Sequence, residues 1–287
     1  PASVARAAAR LMADVLAGVS VFYDMDTPVT LGRLSAGEAV PYLPPEGLGG
    51  FDLTLSYTDV EMAVIQSHVD GEGKVARLPW VVDVETRPRP AFADTSGLLF
   101  LGGFGHPPNV QAVRYYATEV WPLLRKRLPG TVLDVVGSQP PAELKALSGE
   151  HLRIHGHVPD LQPVFDRARL FIAPLLAGAG IKGKVLEAMA RGSAMVLSPI
   201  AAEGTGLVDG ADCLIADTPE TWSAAIARLY EDEALWTRLG EAARHAAGVR
   251  FGFEAGRRRM EEALMKVDVF TAPGMHFKHA RPDRYAG

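Results

Sequence analysis

From Leu98 onward, short apolar runs alternate with amphipathic stretches, and this alternation limits the fold more than any other feature of the sequence. The apolar runs are rich in Val, Ile and Leu, as expected for buried strands, and the stretches between them are long enough for helices. Strands that alternate with helices pair in parallel, because the chain crosses back over the sheet before each new strand. We therefore predict an α/β domain wound around one parallel sheet.

Individual elements follow from the same pattern. Six strands are predicted at residues 98–103, 131–137, 152–156, 169–175, 194–199 and 213–217. Helices are predicted at residues 109–128, 141–147, 161–168, 183–191 and 219–230, followed by two or three helices between 233 and 267. Upstream, the segments VSVFYD, FDLTLSYT and VARLPWVV predict three strands. Because these are few and the chain begins at Pro1 without a methionine, the first domain is expected to be short or truncated.

Composition and charge exclude several classes of protein. The 287 residues carry a formal net charge of -5, and charges of both signs are scattered along the chain. Because the sequence has no basic stripe, nucleic acid is not expected as a partner. No apolar run reaches the roughly eighteen residues of a transmembrane helix, although peripheral membrane contact stays open. Cys213 is the only cysteine and lies in an apolar run, which favours a buried hydrophobic residue over a nucleophile and a reducing, cytoplasmic location.

A glycine-rich segment follows the first predicted strand of the alternating region. In LFLGGFGHPPN, the glycines at 102, 103 and 105 come just before a predicted helix. Glycine lets backbone N–H groups approach an anion closely, and the start of a helix adds a positive partial charge. An ordinary turn between a strand and a helix explains the same pattern, so both interpretations stay open at this point.

A second candidate lies in the segment PLLAGAGIKGKVLEAMARG, at residues 174–192. Helical spacing places Lys184, Glu187 and Arg191 along one face. A lysine in the first turn is suited to neutralise a diphosphate, and a carboxylate one turn later is suited to accept hydrogen bonds from ribose hydroxyls. The alternative is a solvated pair of Lys184 and Glu187 that stabilises the helix only slightly.

Taken together, several segments resemble the retaining glycosyltransferases of family 4, which have the GT-B fold. In that family the helix typically reads G-x-K-x-L-E-A-M-A-x-G, and this chain has GKVLEAMARG. The resemblance continues through FLGGFGHPPNVQAV, DVVG, HGHVPDL and AAEG and covers about residues 98–265. VFYDMDTP and FDLTLSYT are also similar to the first domain of bacterial glycosyltransferases related to a spore-maturation protein.

The resemblance implies a GT-B architecture of two Rossmann-like domains. It gives a partial acceptor-side domain at residues 1–90, a donor-binding domain at 91–267 and a tail at 268–287. Glu187 is implied to bind the donor ribose, and Lys184 to meet the diphosphate. The implied donor-binding residues are Gly103, Phe104, Gly105, Val158, Gly180, Ile181, Lys182, Lys184 and Glu187. Simple core packing remains an alternative for Val158, and a solvated side chain remains one for Lys182.

The chain also departs from the family pattern. The family usually has two glutamates separated by seven residues, and the position that pairs with Glu187 is Ala179. The missing acid lies near the transferred sugar in the family, so its loss indicates either different sugar contacts or a lack of catalysis. The common basic segment after the first strand is replaced by GGFGHPPN, and Lys182 and Lys184 are predicted to substitute for it.

The first domain offers weaker signals. Asp24 and Asp26 form a D-x-D pattern, which binds a divalent metal in GT-A enzymes. The rest of the sequence matches GT-B instead, where basic groups and helix dipoles take the place of a metal, so no metal or other cofactor is expected. The predicted acceptor-side residues are Asp26, Thr27, Tyr57 and Thr58.

These observations predict a glycosyltransferase of the hexosyltransferase class that acts in cell-surface glycan biosynthesis. It is expected to move a sugar from a UDP- or GDP-linked donor to a glycan, lipid or protein acceptor, without metal and with retention of configuration. No catalytic residue is identified. The alternatives are a non-catalytic nucleotide-sugar binding module or partner subunit and, less consistent with the site, a nucleotide-sugar epimerase.

Overall fold

The computed structural model describes residues 21–23, 27–40, 43, 48, 51–56, 65–66, 75–78 and 80–267. The chain divides into unit 1, formed by residues 1–78 and 257–287, and unit 2, formed by residues 79–256. The sequence-based boundaries lie after residues 90 and 267 instead. The segment between 79 and 90 joins unit 2 through arginines: Arg87 Nη2 lies 3.0 Å from Asp166 Oδ2, and Arg89 donates to the carbonyls of Ala168 and Gly192.

Unit 1 contains the three strands predicted upstream. They are β1 (Val21–Tyr23), β2 (Leu53–Ser56) and β3 (Val75–Arg77), and they form a parallel sheet in the order β1-β2-β3. Helix α1 (Thr27–Ser35) follows β1. Leu53 and Leu55 are buried against Ala263, which belongs to a helix near the end of the described chain. A helix from near the end of the described chain therefore packs against this part of the sheet.

Unit 2 contains the six predicted strands in one parallel sheet. They are β4 (Ser96–Leu101), β5 (Leu133–Val136), β6 (Leu152–Gly156), β7 (Ala168–Ala173), β8 (Ala194–Leu197) and β9 (Leu214–Ile215). The strand order is β6-β5-β4-β7-β8-β9. Leu98, Leu99 and Phe100 in β4 are completely buried, which explains why this strand reads as a continuous apolar run rather than an alternating one. The predicted doubly wound α/β class is confirmed.

Helices cover the strands of unit 2. They are α2 (Pro107–Tyr115), α3 (Trp121–Leu124), α4 (Ala142–Lys145), α5 (Gln162–Arg167), α6 (Gly183–Ala190), α7 (Pro199–Ala202), α8 (Pro219–Glu231) and α9 (Glu233–Phe251). Helix α10 (Phe253–Met265) begins in unit 2 and continues into unit 1. No helix in the described part of the chain combines the length and apolar character needed to cross a bilayer.

The helix predicted at residues 109–128 is divided in the structure. A π-helical turn, Tyr116–Val120, separates α2 from α3. Pro122 explains the division, because a proline has no N–H to donate to the preceding turn and its ring crowds that turn. Helix α3 accommodates the proline at its start, where the missing N–H is tolerated.

The strand order places a topological switch point between β4 and β7. The chain winds toward β6 on one side of this point and toward β9 on the other. In open parallel sheets, the connections at such a point leave in opposite directions and open a crevice beyond the carboxyl ends of the strands. The glycine loop at residues 102–106 follows β4, and the segment at residues 174–182 follows β7, so both candidate segments start at this crevice.

Candidate functional site

The glycine loop links the end of β4 to the start of α2. Phe104 anchors the loop, because its side chain is buried and its N–H donates to the Ser138 carbonyl at 3.0 Å. The N–H groups of Gly103 and Gly105 donate to no backbone carbonyl within residues 80–267. Phe104 therefore anchors the loop, while the N–H groups of the two glycines are left without a backbone acceptor in this part of the chain.

The segment after β7 turns into α6 through a second set of glycines. Gly178 and Gly180 have φ angles of +127° and +69°, a region that residues with a Cβ rarely occupy. Ala179, between them, is exposed. The residue that precedes α6 is Lys182, whose side chain does not cap the helix. The first turn of α6 therefore keeps backbone N–H groups without a side-chain acceptor at the end of the helix that carries a positive partial charge.

Lys184 lies in this first turn, and its amine points into the protein. Its Nζ donates a hydrogen bond to Oδ1 of Asn109 and lies 4.6 Å from the centre of the Phe100 ring. Burial, with a smaller contribution from the charge of Lys182, lowers the pKa of Lys184 to about 7. Among the residues that the structure describes, no carboxylate forms a salt bridge with this amine. Lys184 is thus a buried amine that has no carboxylate partner in the described part of the chain.

Lys182 lies beside Lys184 but has different partners. Its Nζ donates to the Gly180 carbonyl and lies 3.3 Å from Oε2 of Glu203. The Lys182 side chain is only 10% exposed, whereas that of Glu203 is 55% exposed. Glu203 follows the short helix after β8, the strand next to β7, so the carboxyl ends of neighbouring strands bring the two residues together.

Glu187 does not pair with Lys184, although helical spacing allows it. Two nitrogens of Arg191, Nε and Nη2, contact the same Glu187 oxygen, Oε1, at 2.8 and 2.7 Å. Arg191 also donates to Gln162 and lies over the Phe165 ring. Oε2 of Glu187 accepts no hydrogen bond from the described residues. One carboxylate oxygen, one helical turn beyond Lys184, is therefore available to a ligand hydroxyl.

For the remaining residues predicted to bind the sugar donor, the structure shows packing against the core. Val158 follows β6, and Ile181 precedes α6; both are partly buried and pack against the main core of unit 2. For Val158, this is the packing that the alternative interpretation expects. The predicted contacts of both residues with a donor stay predictions.

The acceptor-side residues lie mostly beyond the part of the chain that the structure describes. Asp26, Tyr57 and Thr58, as well as Asp24 of the D-x-D pattern, fall outside the described residues. Thr27 is the first residue of α1. Their predicted roles therefore stay predictions.

Other potentially reactive side chains lie in structural surroundings. Nε2 of His155 lies 2.5 Å from Oδ1 of Asp134, which places this histidine in a hydrogen-bonded pair at the sheet edge. Cys213 is fully buried, and burial raises the pKa of its thiol to about 12, as expected for a hydrophobic residue. Within the described ranges, no group of three His, Cys, Asp or Glu residues is arranged to bind a metal.

Sequence reasoning missed Asn109, the residue that joins the two halves of the site. Its Nδ2 donates to the Gly103 carbonyl at 2.7 Å, while its Oδ1 accepts from Lys184. Its side chain is buried, which is unusual for an asparagine in the first turn of a helix. The only local signal for Asn109 is that a polar residue directly follows the two prolines of GHPPN. A polar residue at such a position is ordinarily expected to be exposed to solvent.

Comparisons with known sequences agree with the resemblance stated above. A family model described as Glycosyl transferases group 1 matches residues 95–232. The phosphatidyl-myo-inositol mannosyltransferase of Mycolicibacterium smegmatis is 34% identical over 154 residues, which cover 51% of this chain and 39% of that protein. An uncharacterized 44.6 kDa protein in the cps region of Klebsiella pneumoniae is 34% identical over 129 residues, which cover 42% of this chain and 33% of that protein. The chain thus spans well under half the length of these curated relatives.

Comparisons with solved structures concern the fold. The chain resembles WaaG, a glycosyltransferase involved in lipopolysaccharide biosynthesis, with a TM-score of 0.65 and 16% identity over 93% of this chain and 81% of that one. It also resembles Anabaena Alr3699/HepE in complex with UDP and glucose, with a TM-score of 0.64 and 14% identity over 92% and 80% of the two chains. These likenesses confirm the predicted GT-B fold.

Proposed function

We propose that this chain, whose residues 95–232 match the model of the group 1 glycosyltransferases, transfers a sugar from a nucleotide-diphosphate donor to an acceptor. The donor is a UDP- or GDP-linked hexose. The acceptor is a glycan, lipid or protein of the cell surface, in keeping with the cps region and lipopolysaccharide biosynthesis in the descriptions of two similar proteins. UDP is present in the structure of another similar protein.

One observation carries the proposal: the Lys184 amine lacks a carboxylate partner among the described residues, at a place where several other groups favour an anion. The N–H groups of Gly103 and Gly105 and the start of α6 meet this crevice at the switch point of the sheet. Burying a cation without a counter-ion is unfavourable, which is why the pKa of Lys184 is lowered to about 7, and an anion that binds beside the amine would favour its charged form. A diphosphate brings the negative charge that this arrangement lacks.

The same groups support transfer without a metal. Charge that develops on the departing diphosphate is stabilised by Lys184, by backbone donors and by the helix dipole, all of which are positioned before reaction begins. Retention of configuration is proposed from the resemblance to family 4. In such a reaction an oxygen of the leaving phosphate accepts the proton of the acceptor hydroxyl, so the chain does not need a side-chain base.

Ala179 favours a second candidate, a nucleotide-sugar binding module without transferase activity. Ala179 is exposed in the segment that follows β7, where the family usually has an acid close to the transferred sugar. Without that acid, the groups that bind the nucleotide remain but a sugar contact is lost. The two candidates share the donor site and differ in turnover.

Calorimetric titration with UDP and GDP tests the donor site. We expect Lys184→Met to weaken binding about tenfold or more, as removal of a charged hydrogen bond to phosphate would. Glu187→Gln should weaken the binding of UDP more than that of inorganic diphosphate, because diphosphate has no ribose. Lys126→Met removes a positive charge from an exposed position and serves as the matched control.

A sugar-release assay separates the two candidates. UDP- and GDP-linked hexoses, labelled in the sugar, would be incubated with the protein and with membrane and glycan fractions as acceptors. Transfer or hydrolysis of label supports the enzyme, and tight nucleotide binding without release supports the binding module. Failure of the wild-type protein to bind either nucleotide would overturn both.

A further inference from the structure

Asn109 uses both ends of its side-chain amide inside the protein. Nδ2 donates to the Gly103 carbonyl at 2.7 Å, and Oδ1 accepts from Nζ of Lys184. Asn109 as a whole is only 6% exposed. It also packs directly against Gly102, where an added Cβ would lie 2.8 Å from Cγ of Asn109. The amide thus links the loop that follows β4 with the helix that follows β7.

The electrostatic surroundings of Lys184 leave Asn109 as its main polar partner. From β4, the Phe100 ring faces the amine, and from the segment before α6 the charge of Lys182 repels it. The neighbouring carboxylates have other partners: Glu203 contacts Lys182, and Glu187 contacts Arg191. The carbonyl end of Asn109 is therefore the group that favours a proton on Lys184 when no ligand is bound.

We propose that Asn109 is a positioning residue that directs the Lys184 amine toward the diphosphate of the donor and holds the Gly103 backbone at the same phosphate. This inference rests on the proposed donor site and adds a residue to it. Nζ carries up to three protons; one stays on Asn109, and the others are free to meet phosphate oxygens. The glycine loop and the lysine are then held in one geometry before the ligand arrives, which lowers the entropy lost on binding.

The number of protons taken up when UDP binds tests the contact between Asn109 and Lys184. With its pKa lowered to about 7 by burial, Lys184 is mostly neutral at pH 8, and a bound diphosphate favours its charged form. Binding of UDP at pH 8 should therefore take up close to one proton. Calorimetry in two buffers of different ionisation enthalpy measures this number, because the apparent binding enthalpy changes in proportion to the protons exchanged.

Two variants of Asn109 should differ in the proton uptake that accompanies UDP binding. Asn109→Asp retains the shape but places a carboxylate beside the amine, so Lys184 is already charged; we expect weaker UDP binding and proton uptake near zero. Asn109→Ala removes the acceptor; we expect binding about tenfold weaker or more at pH 8, a smaller loss at pH 6, and proton uptake retained. Gln111→Ala, at an exposed position of the same helix, is the matched control.

A residue that only stabilised the fold would behave differently. Both Asn109 variants would then weaken binding in parallel and leave the proton uptake per UDP unchanged, which would overturn the inference. Circular dichroism and thermal melting would verify that the variants fold, and the near-isosteric Asn109→Asp keeps the test valid if Asn109→Ala does not.

A second measurement does not depend on nucleotide binding. The ε-carbon resonance of Lys184, assigned with Lys184→Arg, would be titrated by NMR in the free proteins. We expect the pKa of Lys184 to rise in Asn109→Asp and to fall in Asn109→Ala. Unchanged titration in both would refute the positioning role. Expected shifts in a protein that binds neither UDP nor GDP would support the contact and refute the proposed function instead.

Discussion

Gly137 approaches Gly102 so closely that a Cβ atom added at position 137 would lie 1.7 Å from the Gly102 carbonyl oxygen. The two chains stay hydrogen-bonded on both sides of this point: Gly102 N–H donates to the Val136 carbonyl at 2.9 Å, and Phe104 N–H donates to the Ser138 carbonyl at 3.0 Å. Glycine at position 137 therefore allows the loop after β5 to support the glycine loop after β4.

Gly137→Ala is expected to lower both stability and nucleotide affinity. The new methyl group meets backbone, which cannot rotate away, so β4 and β5 must shift; we expect a loss of about 1–3 kcal/mol in the free energy of unfolding. Gly130→Ala is the control, since an added Cβ there meets nothing within 4 Å. Urea denaturation of both variants and titration with UDP would measure the effects. Equal stability of the two variants would contradict the close approach.

The sheet was predictable from the sequence because buried parallel strands leave a direct signature. The segment LRIHG at residues 152–156 was predicted with its observed bounds, and the other strands of unit 2 differ by a few residues at their ends. Once these strands and their connecting helices are placed, the usual handedness of the crossovers restricts the order to few alternatives. The switch point and the segments that meet there follow from that order.

The partners of the charged residues were not predictable in the same way. Helical spacing brings Lys184 within reach of Glu187, but the contact that forms is with Asn109 on another helix. Asn109 is far from Lys184 in sequence, and their contact depends on the approach of the connections after β4 and β7. Arg191 forms the ion pair with Glu187, because Gln162 and the Phe165 ring hold its guanidinium on that side of α6. Which partner a charged residue contacts depends on tertiary packing, and a local sequence pattern carries no information about that packing.

Lys184 should also make stability depend on pH. Its pKa is lowered to about 7 in the folded protein, so between pH 7 and the higher pKa of the unfolded chain the unfolded state binds more protons. The wild-type free energy of unfolding should therefore rise with pH across this window, relative to Lys184→Met, by on the order of 2 kcal/mol. Urea denaturation at pH 6.5, 8 and 9.5 would measure the difference. A difference that is constant or falls with pH would contradict the burial of this amine.

Glu203→Gln is expected to strengthen nucleotide binding. In the proposed donor site, Glu203 would compete with a ligand for Lys182, and its carboxylate is largely exposed, so the ion pair itself contributes little stability. Removing the carboxylate should improve the affinity for UDP about two- to fivefold at low salt, and added salt should reduce the gain. Glu241→Gln removes the same charge from an exposed position on α9. An equal gain in both variants would show a general charge effect instead of release of Lys182.

Arg169 should matter for stability at a place remote from the glycine loop. Its guanidinium donates to the carbonyls of Phe92 at 2.9 Å, Thr95 at 2.6 Å and Tyr230 at 3.2 Å, and it lies 3.9 Å from the centre of the Phe92 ring. A lysine has one terminal nitrogen and cannot reach three carbonyls that surround a planar group.

Arg169→Lys should therefore lower the free energy of unfolding by about 2–4 kcal/mol, because these partly buried carbonyls lose the hydrogen bonds that the guanidinium donates. The segment 92–95 leads directly into β4, so its hydrogen-exchange protection should fall as well. Arg167→Lys, at an exposed position of α5, provides the comparison. UDP affinity measured well below the melting temperature should stay within about twofold of wild type, since the glycine loop lies at the opposite end of β4. A stability loss no larger than that of Arg167→Lys would show that the planar arrangement of donors is not what holds this segment.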